Sequence, residues 1–182
     1  PRYAGAIAFF QSALYGEGDF SQRDAALARL VPVLTRMLPD RVIGVVAQAM
    51  ELNALSQELD RALVDALGLR PTYSVAQYSR AFRRAGRVDA RVRQIELIVE
   101  VGSAIDHYGR KVTIRNALTL MRAPARAAGF GALQVFLERG FASFRRMQGA
   151  DEFLAAISTR ERAILDATAG GSDAPFADPA AA

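Results

Sequence analysis

Cysteine is absent from this 182-residue chain, and histidine occurs only once. Without cysteine there is no disulfide framework, no thiolate nucleophile and no thiolate ligand for a metal. His107 is the one imidazole, so the Glu-x-x-His pairs of a carboxylate-bridged di-iron centre cannot be assembled. A Gly-x-Ser-x-Gly elbow is also missing, which leaves serine-hydrolase chemistry without support. No apolar stretch approaches the ~18 residues of a membrane span, and no membrane association is expected. Strand signals are lacking too. The β-branched run "IELIVEV" lies inside a longer helical period and has no second strand to pair with.

What is present fits one sizeable core: 51% hydrophobic and 23% charged residues. The net charge is +4, and among the 23 basic residues only Lys111 is a lysine. This permits contact with anionic partners but lacks the concentrated basic face of a nucleic-acid binder, so nucleic acid is not the expected partner. The cluster Arg80, Arg83, Arg84, Arg87, Arg91 and Arg93 has no aromatic platform beside it and reads as a solvated face. The chain begins at Pro1 without Met. The expectation is that a native N-terminal segment, with any targeting signal in it, is missing.

The periodicity is helical nearly throughout. Tyr3, Ile7, Phe10 and Leu14 form a stripe that Gly16 and Gly18 end, and Ser21 offers a cap for a second helix carrying Leu27, Leu30, Leu34 and Leu38, with Pro32 as a kink. The "GEGDFS" corner is read as a cap and turn, with Phe9, Phe10, Leu14 and Phe20 packed around it, because the phosphate-binding glycine motif follows a strand. Further helices are predicted from about Asp40 to Leu67, Ser74 to Arg84, Val88 to Gly109, Thr113 to Arg122, Ala132 to Met147 and Asp151 to Ala167. The predicted fold is an all-α, single-domain multi-helix bundle of seven or eight helices over residues 1–168, with 169–182 a disordered tail.

At "AFFQSALYGEGDF" the chain resembles the FFLEE-motif proteins, a family of uncharacterised proteobacterial proteins. Similar patterns recur in "RLVPVLTRMLP", "ELNALSQELD", "LMRAPARAAGFGALQVFLERGF" and the closing "FLAAI". Gln11, Ser12 and Ala13 stand where the motif has Leu-Glu-Glu. The resemblance implies an all-helical fold and brings no activity with it.

Candidate site residues come from polar groups at apolar positions. Asn53, Ser56 and Asp60 stack on one stripe within the apolar face of the long helix from Asp40. An unpartnered buried carboxylate is costly, so Asp60 is expected to be held by arginine, with Arg122 or Arg126 as the candidates; Ser56 is expected to bond back to its own helix. Asp106, beside Ile95, Val99 and Gly102, and Glu161, between Ile157 and Ile164, are placed similarly. Arg122 and Arg126 flank Pro124, which suits a first helical turn. Such a turn with two arginines is an anion site in outline, but pairing with buried acids is the preferred reading. His107 falls on the polar face with Arg93, Glu96, Glu100 and Ser103 and is expected to be solvated.

The sequence therefore points to a non-catalytic, cytoplasmic helical module for protein interaction or regulation, whose partner is another protein or a second copy. The alternative is a receptor for a small anionic or amphipathic ligand in the helical core. No metal and no cofactor are expected.

Overall fold

A computed structural model of the chain describes residues 2–13, 40–69 and 72–176. Eight α-helices and no strand occur among them: α1 Ala4–Ala13, α2 Asp40–Leu67, α3 Val75–Ala85, α4 Val88–Gly109, α5 Val112–Leu120, α6 Arg122–Ala127, α7 Gly131–Met147 and α8 Asp151–Ala169. The all-α expectation holds. The Ser21 helix, the Pro32 kink and the glycine corner with Leu14 and Phe20 lie outside the described residues.

The breaks follow local chemistry. α2 stops at Gly68, which adopts the left-handed conformation at φ 73° that glycine enters without steric cost. α3 starts with a reciprocal cap. The Gln77 amide donates to Ser74 Oγ at 3.3 Å, and the Ser74 amide donates to Gln77 Oε1 at 2.9 Å. The segment predicted as one helix over 113–122 ends at Leu120, and a separate short helix begins at Arg122. Pro124 sits in the first turn of that helix, where its missing N–H leaves no bond unmade.

By internal contacts the chain forms two compact units, residues 1–46 with 101–153 and residues 47–100 with 154–182. In the first, α1 packs on α7. The Phe9 ring lies 5.4 Å from that of Phe136, and its edge sits 3.1 Å from where a Cβ at Gly140 would be. Glycine at 140 is thus what admits the ring. The buried residues of α1 are Ala6 and Phe9, whereas Ile7, predicted on the inward stripe, is 46% exposed. Ahead of α1, Arg2 donates to the Met147 carbonyl at 2.7 Å and to Glu152 at 3.1 Å, and Tyr3 donates to the same carboxylate at 2.8 Å.

In the second unit, α2 and the N-terminal part of α4 run antiparallel, joined by Gln48–Glu100, Glu51–Arg93, Ser56–Gln94 and Glu58–Arg87 at 2.7–2.8 Å. Leu59, Ala81, Ile95, Leu97, Leu154 and Leu165 are buried in this unit. The segment expected to be loose from residue 169 is ordered through Phe176: a 3₁₀ turn spans Ala174–Phe176, and Asp173 pairs with Arg83 at 3.1 Å. Residues 177–182 lie outside the described residues.

Truncating a buried phenylalanine removes transfer energy and leaves a cavity. Phe9→Ala should cost about 3–5 kcal/mol in urea unfolding, while Ile7→Ala stays within roughly 1 kcal/mol. Equal losses would contradict the inward position of Phe9.

Candidate functional site

The seven sequence-predicted polar residues are divided between the two units. Asn53, Ser56, Asp60 and Glu161 belong to the second unit and Asp106, Arg122 and Arg126 to the first. Asn53 and Ser56 are part-buried, and Ser56 accepts from Gln94 Nε2 at 2.8 Å rather than bonding to its own helix. Asp60 is exposed, which corrects the expectation of a buried carboxylate held by Arg122 or Arg126. Burial raises the pKa of Tyr78 and lowers that of Arg91, and the charge of Asp60 adds a lesser upward push on both. Glu161 is exposed as well, so its position between two isoleucines does not bury it. Asp106 is the acid that is buried. Its partner comes from its own helix: Arg110 grips both carboxylate oxygens, at 3.3 and 2.5 Å.

Four of the six arginines around Gly86 bond neighbours, while Arg80, Arg84 and Arg87 are exposed as a solvated face would have them. Arg83 bonds Asp173, Arg84 donates to the Ala66 carbonyl, Arg87 bonds Glu58 and Arg93 bonds Glu51. Arg91 differs. Its guanidinium carbon lies 3.8 Å from the centre of the Phe82 ring, and its Nε and Nη2 are enclosed without a hydrogen bond. Burial lowers its pKa, and the attraction of a ring face for a cation stands in for the absent acceptors.

The arginine predicted to hold Asp60 instead builds an edge of a groove. Arg122 makes a two-pronged bond to Glu138, at 2.7 and 2.9 Å. Gln134 is buried, and its amide donates both to Glu138 and to the Leu118 carbonyl at the end of α5, each at 2.7 Å. These bonds, Arg122 first, hold the Glu138 carboxyl below its ordinary pKa, helped by the charge of Arg126. Beside them, α5 and α7 enclose an open groove of about 360 Å³. Ile114, Leu118, Phe141 and Ala142 give it apolar walls, and Arg115, Arg122, Arg139 and Arg145 contribute four cations against the single carboxylate of Glu138. Gly109 also lines it, and a Cβ there would come within 2.9 Å of the Phe141 ring. At the end of α5 next to the groove, Leu120 is 80% exposed and Met121 is half exposed.

Sequence reasoning missed this groove because Arg115, Arg139 and Arg145 are ordinary surface residues on their own helices. The available signal was the Ile114–Leu118 pair on one face of a short helix flanked by arginines. The anion site expected at Pro124 has only a six-residue helix behind it, and Arg122 is bonded to Glu138.

No group of histidine, aspartate or glutamate among the described residues is arranged to hold a metal ion, and no helix among them is long and apolar enough to cross a membrane. His107 is exposed, edge-on to Tyr108 at 5.1 Å.

The model of a domain of unknown function, DUF8198, matches residues 1–175. The chain belongs to that family. No curated protein and no solved structure matches it. Within this DUF8198 member, the α5–α7 groove combines apolar walls with four arginines and one carboxylate.

Two outcomes follow from the acids. Asp106→Ala should cost about 1–3 kcal/mol, because it removes a buried acceptor of two charged hydrogen bonds, and Asp60→Ala should stay within roughly 0.5 kcal/mol. Urea unfolding of the two variants reads the difference, and a large loss for Asp60→Ala would contradict its exposed position. Glu138 has a folded pKa below its unfolded one. Its stabilising share is therefore complete above the ordinary glutamate range and is lost as pH falls through the folded value. In Glu138→Gln the acid limb of stability against pH should be shallower than in the native chain; an unchanged limb would show that the carboxylate adds nothing.

Proposed function

We propose that the protein is a non-catalytic helical module for protein interaction or regulation, working in a bacterial cytoplasm as the resemblance to proteobacterial proteins suggests. The observation that carries this reading is the surface at α5 and α6. Val112, Leu120 and Met121 expose large apolar side chains on a short stretch that also borders the groove. Apolar side chains gathered beside a concave surface are the usual mark of a site that another chain covers. The covering chain is a different protein or a second copy.

A second reading, a receptor for a small anionic or amphipathic ligand, draws support from the arginines around the groove. The groove lies open at the surface rather than enclosed in the helical core where that ligand was expected.

A photocrosslinking residue placed at Leu120 in cells should capture one defined polypeptide, identified by mass spectrometry, while the same residue at the exposed Asp65 should not. Native mass spectrometry that finds a lone chain carrying a small molecule, with no crosslink from Leu120, would reject the interaction module in favour of the receptor.

A further inference from the structure

We infer that the α5–α7 groove receives an acidic amphipathic segment of a partner protein, about two helical turns long. This rests on the interaction-module reading and adds the chemistry of the partner. Three observations lead to it. The walls from Ile114, Leu118, Phe141 and Ala142 suit aliphatic side chains at helical spacing. The one carboxylate of the groove is already held by Arg122 and Gln134, while Arg115 and Arg145 enter no ion pair among the described residues, so the charge on offer is positive. Nine-residue α5 extends about 13 Å, which sets the length of segment that can lie along it.

The individual arginines divide the work. Arg122 is tied to Glu138 and shapes the wall. Arg115 and Arg145 are exposed and enter no ion pair among the described residues, so their donors are open to incoming carboxylates. A partner carboxylate laid against either gains a charge-assisted hydrogen bond without displacing one that already exists. Positive charge at the rim also steers an acidic chain toward the groove before contact, and this contribution falls as salt screens it.

The test is selection of a random dodecapeptide display library on the whole purified protein, followed by binding of the enriched peptides to variants. The expected result is enrichment of peptides with a net charge of about −3 or lower and aliphatic residues spaced three and four apart. Their affinity should fall about tenfold or more in the double variant Arg115→Glu with Arg145→Glu, remain unchanged in Arg160→Glu on α8, and weaken with added salt. The double variant should keep its helical signal and melting temperature, because neither arginine has an ion pair to lose among the described residues. Acidic peptides that bind the double variant as well as the native chain would overturn the groove assignment, and neutral or basic enriched peptides would overturn the partner chemistry; in both cases the interaction-module reading stands. An empty selection, with binding only to vesicles of phosphatidylglycerol, would overturn both.

Discussion

A buried glutamine decides where α5 lies. Gln134 has one amide nitrogen to place out of water, and it places it between the Leu118 carbonyl and the Glu138 carboxylate. A helix leaves its last carbonyls without partners from its own backbone, so α5 gains an acceptor's bond exactly where its own ladder runs out of donors, near Leu118. The same amide helps hold Glu138 ionised and turned toward Arg122. One side chain therefore ties the end of a short helix, the register of α7 and the charge of the groove together. Replacing it by an apolar residue would leave the Leu118 carbonyl and the carboxylate to find water instead.

The helices were readable from the sequence because their punctuation is local: Gly68, the Ser74–Gln77 box, Gly86 and Gly109 each act within a turn of where they stand. The polar partners were not readable, because they depend on which helix faces which. Asp60 illustrates the limit. Its spacing from Ser56 places it beside the apolar face of α2, but that face is broad, and a residue at its edge is free to meet solvent. Asp106 was rightly suspected of being buried, yet its partner was sought on another helix when Arg110 stood one turn away. The groove was hidden for a different reason. Its cations come from three helices, and no single helix makes the groove stand out.

Arginine is nearly the only cation in this chain, and the structure uses it in distinct ways. Arg93 spans to Glu51 with a forked pair, Arg110 closes over a buried acid, and Arg91 stacks on Phe82 with two nitrogens left unbonded. A planar, delocalised cation tolerates all three settings, whereas an ammonium would need water or an acceptor in the last. The preference for arginine thus has structural consequences, and Arg115 and Arg145 stand out for entering no ion pair among the described residues.

The first unit also carries a consequence for synthesis. Arg2 finds Glu152, 150 residues later in the chain, and Phe9 must wait for Phe136 and Gly140. At about 5–20 residues per second on the ribosome, roughly 8–30 s separate the emergence of the first helix from that of its partners. Throughout that interval Phe9 lacks the α7 residues that cover it in the folded chain. The order of translation thus makes α1 a helix that waits: it cannot take its place until α7 has been made, whatever else has folded by then.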